Sequence, residues 1–411
     1  MVLLLIIASA ALSIATSLGA GTGSSDDVFP ARQQYAWPDR VFPGQHIDPT
    51  RDTFIEFAKE LDGDMYVLES EEYISYMSVY NYRVERYPEV IFVVESVEDV
   101  QKVMRFCKNY NLLVTILSSG HSYIGRSTHD GSMNINLKRM KGIHFNLNSD
   151  RNPAGEVTVE SGLAWLEVDK MAVTQDDAGN EVRRVIVGGS AHTVAMGGYT
   201  QGGGHSPMSR MLGLAVDNLL AATIVLPDGR KAVVDAQGTT ITDLDNTTTT
   251  SNDTSLFWAI RGGGGGTWGV VTDFTFKLHY APKRFRRVAA SWALTYMGTD
   301  IGSDTIRFVI QELAKLSRNW GGYVTVYGGQ LVPGVVGSIN IFLNHFGSDD
   351  DPSSDEVDAL LKHNVTGNQF AASDVRYDTF LEYENTGSRW SGRCVDGGGG
   401  VFGNGDVTVD A

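Results

Sequence analysis

Three clusters of glycine constrain this chain more than any other feature. They lie around Gly120, across 188–204 and across 262–269, and each sits beside a β-rich run. Glycine reaches positive φ without cost and lets another group come close to the backbone. Several such turns together can aim backbone N–H groups at phosphates, whereas any one of them alone can equally be a tight loop. No Gly-Lys-Ser/Thr follows a cluster, so a Walker A loop is excluded. A literal Gly-x-Gly-x-x-Gly stands at Gly264, Gly266 and Gly269. It follows a helix-like segment and leads into a strand, the reverse of a dinucleotide-binding strand–turn–helix.

The 411 residues allow two or three domains at about 150 residues each, and the 42% of apolar residues can fill their cores. A net charge of −16 argues against nucleic acid or an anionic membrane as partner, because both need basic patches. Cys107 and Cys394 are the only cysteines, too few for a disulfide framework or a four-thiolate zinc site. They could pair in an oxidising compartment, or Cys107 could be a small hydrophobe on the inner face of a helix.

Residues 1–20 form an apolar run ending in small residues, which reads as a secretory signal peptide. Polar residues enter too early for a membrane span. Sequons at Asn246, Asn252 and Asn364 agree with a secreted glycoprotein. The polar tract carrying the first two is expected to be a surface loop. The end of the chain, 394–411, shows no packing pattern.

From Pro88 onward the pattern is regular. EVIFVVE reads as a strand, and the next segment as a helix capped by Ser96 with Val100, Val103, Met104 and Cys107 on one face. LLVTILS is a second strand. Further strands and helices run to Tyr280, including two strands around the turn Pro227-Asp228-Gly229. After residue 283 apolar and polar residues alternate in long runs separated by amphipathic helices, which predicts a separate α+β domain with an antiparallel sheet.

Among the histidines, His121 lies inside a Gly/Ser turn and His205 ends a triple glycine. No His-x-x-x-His spacing supports a metal site. Without Gly-x-Ser-x-Gly, Ser122 is a poor candidate for a hydrolase nucleophile.

The stretches SSGHSYIGRST (118–128), VGGSAHTVAMGGYTQGGGHSPMSRMLGLAVDNLL (187–220) and LFWAIRGGGGGTWGVVTDFTFKL (256–278) resemble the berberine-bridge-enzyme-like flavin oxidases of the vanillyl-alcohol-oxidase superfamily. The likeness runs in order from about Asn81 to Tyr280. It implies an α+β fold: a two-part PCMH-type FAD-binding domain over 81–282, after a signal peptide (1–20) and an N-terminal extension (21–80). A substrate domain follows over 283–411, with an antiparallel sheet, covering the isoalloxazine ring.

The cofactor implied is FAD, linked covalently through His121. The turn of Ser119, Gly120 and Ser122 would hold its pyrophosphate. Gly125, Ser127, Gly188, Gly197, Gly198, Gly202, Gly203, Gly204, Gly269 and Val270 complete the implied cofactor-binding set. Many members carry a second link from a cysteine at the position of Ala191. Alanine cannot form a thioether, so a single link is expected here. Val194 occupies the family's oxygen-access position and points to an oxidase. His205 either accepts a hydroxyl proton as hydride leaves for the flavin, or hydrogen-bonds the flavin or a backbone carbonyl. Tyr123 is read as packing.

The activity implied is oxidation of a small-molecule alcohol or carbohydrate with O₂ as acceptor, outside the cell, without metal, nucleic acid or membrane. Family members run longer, with a last segment returning to the flavin domain, so the substrate domain is read as partial and the gene model as truncated. The alternatives are a secreted flavin-binding protein without catalysis and a dehydrogenase with an organic acceptor.

Overall fold

The run Val90–Val93 is a strand with every residue buried. Ser96 accepts the backbone N–H of Asp99 and starts the helix Val97–Asn109. Val100, Val103, Met104 and Cys107 are all buried on that helix. The computed structural model describes residues 6–7 and 49–377, except 69, 172, 176–180, 282–284, 297–298, 333–334, 348–350 and 363–368. Most of the leader, the Asn364 sequon, Cys394 and the C-terminal stretch lie outside the described residues. The chain divides into two compact units. Gly44–His205 and Leu214–Tyr280 belong to one, Ser206–Gly213 and Ala281–Tyr383 to the other.

The first unit contains a four-stranded sheet in which Val90–Val93 and Val114–Leu117 flank Met133–Asn136 in parallel. Asp64–Val67 pairs antiparallel with Val90–Val93 on the outer side. The sheet therefore begins well before residue 81, within the segment read as an extension. Ahead of it, the helix Arg51–Ala58 is closed by a reciprocal cap between Thr50 and Thr53. Its Phe57 stacks on Phe106 at 4.2 Å between ring centroids and meets Phe92 edge-on. Burying such a ring contributes about 1.5–3 kcal/mol.

A seven-stranded antiparallel sheet forms the second part of this unit. Its centre is Leu219–Val225 between Lys231–Asp235 and Val270–Lys277, with Phe274 and Phe276 fully buried. The threonine-rich tract read as a loop is instead an edge hairpin of this sheet. Thr239–Thr242 pairs with Thr248–Ser251, and Asn246 takes φ 66° at the tip. Threonine suits a half-exposed pleated surface, and Asn is among the few residues that tolerate a left-handed turn. No described helix is long and apolar enough to cross a membrane.

In the other unit, Trp320–Val332, Val335–His345, Phe285–Ala293 and Gln369–Tyr377 form an antiparallel sheet, in the order 320–332, 335–345, 285–293, 369–377. Ile6–Ile7 lies parallel along its edge. The helix Gly302–Leu313 packs Val309 and Leu313 into a core with Trp292 and Trp320. Arg286, only 4% exposed, pairs with Asp358 and Asp374 and donates to the Ser354 carbonyl.

The excursion Ser206–Gly213 belongs here rather than with the unit that precedes it in sequence. Arg210, on its short helix Ser209–Leu212, donates to the carbonyls of Trp320 and Leu316. Any Cβ at Gly321 would strike the Pro207 carbonyl. At the base of the excursion, Ala215 N–H donates to the Gly204 carbonyl at 2.9 Å.

Candidate functional site

All three glycine clusters meet inside the first unit. The first turn leaves the strand Val114–Leu117, and Gly120 takes φ 79° beneath Ser78 and Val79. Ser119 Oγ accepts the N–H of Ala195 at 2.9 Å, which ties the first turn to the second. Gly197 makes this approach possible, since a Cβ there would lie 2.4 Å from Ser118 Oγ. The second cluster is tied to the third by the Gln201 carbonyl, which accepts from Gly264 N–H at 2.9 Å. Arg126 closes the circuit from the first turn by donating to Thr267 Oγ1 at 3.3 Å.

The glycines of this region fall into two kinds. Gly188 lies against the Trp165 ring, Gly204 against Ala215 and Tyr199, and Gly269 under the Val225 carbonyl. Packing accounts for each, as it does for Val270, which is fully buried and paired with Val225 in the sheet. Gly125 sits with φ 71° against Val84, and the Ser127 carbonyl accepts from Asn134. Gly198 and Gly262 are different, since a Cβ at either meets nothing within 4 Å, and at Gly202 and Gly203 it meets only ordinary contacts. At these four the bare backbone faces open space, which suits a ligand that must approach the main chain closely, as a dinucleotide does.

His121 stands at the first turn. Its Nε2 is 2.9 Å from Thr193 Oγ1, and its ring stacks on Tyr80 at 4.6 Å between centroids and 20° between planes. Burial pushes the imidazole pKa below its usual value, and a hydrogen bond to the Thr193 backbone partly offsets this. The ring is therefore neutral at pH 7, with one nitrogen lone pair available. Ser122 does not face it as a nucleophile would; its Oγ accepts from Arg126 N–H. The Tyr123 ring is largely exposed and meets Tyr80 edge-on.

Ala191 and Val194 face each other through Val194 N–H and the Ala191 carbonyl, and Val194 packs partly buried on the core beside Trp165. At His205 the carbonyl accepts from Tyr199 Oη at 2.9 Å, while burial lowers the imidazole pKa. Among the described residues no cluster of metal-ligating side chains exists. Sequence reading passed over Tyr80, Thr193, Gln201 and Arg126. Nothing in the chain order signals Tyr80, which lies about forty positions before the histidine it covers.

Residues 88–235 match the family described as FAD binding domain. This chain carries an FAD binding domain. A VAO-type flavoprotein oxidase of Thermothelomyces thermophilus is 34% identical over 198 residues, which are 47% of this chain and 30% of that protein. The stretches matched in such curated relatives span about a third of their length. Among solved structures, a berberine bridge enzyme variant superposes with a TM-score of 0.60 at 20% identity, covering 82% of this chain and 65% of the other. A glucooligosaccharide oxidase of Acremonium strictum, described with a 6-S-cysteinyl, 8α-N1-histidyl FAD, gives 0.61 at 21% identity, covering 80% and 61%. At these identities the likeness is one of fold. The FAD binding domain thus has the mixed α+β architecture of the berberine-bridge and vanillyl-alcohol-oxidase flavoproteins, and relatives of its sequence are FAD-linked oxidoreductases.

Proposed function

We propose that this protein is a secreted FAD-dependent oxidase that takes a hydride from an alcohol or sugar hydroxyl carbon and passes the electrons to O₂. The observation that carries the reading is the meeting of the three glycine turns around a neutral, positioned His121. Bound FAD supplies the two-electron acceptor, and the protein's part is to hold, orient and shield. Ser119, Gly120, Ser122 and the open backbone at Gly198, Gly202 and Gly203 would hold the cofactor. His121 would anchor it covalently, in the manner of the histidyl link named for the glucooligosaccharide oxidase. Ala191 offers no sulfur, so the anchor is single.

His205 carries a neutral imidazole at pH 7, because burial lowers its pKa, and can accept a hydroxyl proton. Val194 is the candidate position for oxygen access. The apolar leader and the exposed Asn246 and Asn252 favour export with glycosylation.

Acid precipitation of the secreted protein tests the anchor. Flavin should stay in the wild-type pellet and leave that of His121→Ala. Peroxide release across a panel of alcohols and sugars tests the oxidase. Bleaching by substrate with slow reoxidation in air would point to an organic acceptor instead, and a colourless protein would remove the oxidase reading.

A further inference from the structure

We infer that Thr193 and Tyr80 are positioning residues for the flavin link: they hold His121 in the one tautomer and ring orientation that can form it. The inference rests on the covalent reading above. A neutral imidazole has one N–H and one lone pair, and its hydrogen-bond partners bias which nitrogen carries which. Here Nε2 faces Thr193 Oγ1 at 2.9 Å, and the Thr193 backbone also favours a proton on the ring. With the Thr193 hydroxyl as acceptor the proton sits on Nε2 and the lone pair on Nδ1; the same hydroxyl can donate to an unprotonated Nε2, and the NMR measurement below tells the two apart. Tyr80 lies flat against the ring at 4.6 Å and limits its rotation, as offset-stacked aromatic pairs do.

The bond formed is Nδ1 to the flavin 8α carbon, made with the Nδ1 lone pair. A C–H bond at that carbon breaks, its proton goes to solvent and its electron pair reduces the ring system by two electrons. Dioxygen then takes that pair and is reduced to peroxide. As the bond forms, positive charge grows on the imidazole, and the Nε2–H bond to Thr193 strengthens because charged donors bind more tightly. Thr193 therefore favours the product-like state over the free histidine.

The test starts from apo-protein made in a riboflavin-starved host, to which FAD is added. Acid-stable flavin is followed with time in the wild type, Thr193→Val, Thr193→Ser, Tyr80→Leu and His121→Ala. Loss of one hydrogen bond predicts a rate about five- to tenfold lower in Thr193→Val, with rescue by Thr193→Ser and unchanged non-covalent FAD binding. Tyr80→Leu should slow the link less. Histidine-selective ¹⁵N NMR of the apo wild type, assigned against His121→Ala, should show His121 protonated on Nε2. A wild-type rate in Thr193→Val, or an Nδ1–H tautomer in the apo-protein, overturns the positioning role and leaves the covalent reading standing. Wild-type protein that binds FAD but releases all of it in acid overturns both.

Discussion

Two regions of this molecule are built on opposite terms. Around His121 glycine turns are tied by a few single bonds, Ala195 N–H to Ser119 Oγ, Gly264 N–H to the Gln201 carbonyl and Arg126 to Thr267, with bare backbone facing open space at Gly198 and Gly262. Around Arg286 the structure is made of side chains: one buried guanidinium gathers Asp358, Asp374 and a carbonyl beside the Trp320 ring. The first arrangement leaves room for a ligand to complete it. The second is already complete. Stability and ligand binding should therefore respond separately in the two places.

The largest effect should come from Arg286→Met, which takes the buried cation away from Asp374 and leaves Asp358 only Lys362. The carboxylates left behind are 36% and 41% exposed, so the change costs the charged hydrogen bonds rather than a stranded buried charge, about 2–3 kcal/mol. Urea unfolding followed by tryptophan fluorescence should show that loss, with no change in FAD retention; a parallel loss of flavin would mean the two regions are coupled. Next in size is Gly269→Ala, where φ is 147° and the new Cβ meets the Val225 carbonyl. Strain of this kind costs about 1–3 kcal/mol, read as a lower melting temperature.

Gly198→Ala should do the reverse. The residue is exposed in the helix Met196–Gln201 with nothing near its missing Cβ, so alanine should stabilise by about 0.5–1 kcal/mol. FAD retention should nevertheless fall if the cofactor lies against that backbone. A variant more stable and equally good at holding flavin would show that the open backbone serves something else.

The smallest effects concern pH. Arg286 holds the Asp358 carboxyl below its usual range, so its contribution is present at neutral pH and is lost as pH falls through the folded value. Asp273 is shifted the other way, chiefly by burial, and lies opposite Glu160, whose carboxyl burial also raises. Its contribution is greatest in acid and is lost as pH rises through the folded value. Asp358→Asn should thus destabilise at pH 7, and by less at pH 3 than at pH 7. Asp273→Asn should stabilise at pH 7 and be neutral at pH 3. Urea midpoints at the two pH values check both signs.

Much of the fold was legible because its signals are local. The helix Val97–Asn109 carries its own cap and apolar face, and the long β-rich runs after residue 283 are strands, although burial along them does not alternate from residue to residue. The edge hairpin at 239–251 was not legible, because threonine and asparagine look like a loop until a neighbouring strand offers them a ladder. Asp64–Val67 was missed for a similar reason, since four residues gain their meaning only beside Val90–Val93. At the candidate site, the glycines and His121 stood out by type and spacing. Thr193 and Tyr80 did not, because ordinary residues acquire a role only from what the fold sets beside them.

The excursion Ser206–Gly213 has a consequence for the order of assembly. Arg210 leaves the ribosome 110 residues ahead of Trp320, whose carbonyl it will hold, a delay of roughly 5–20 seconds at ordinary synthesis rates. During that time the residues flanking the excursion can already be joined, with Ala215 N–H on the Gly204 carbonyl. The nascent chain would then present an eight-residue landing pad, waiting for a sheet not yet made.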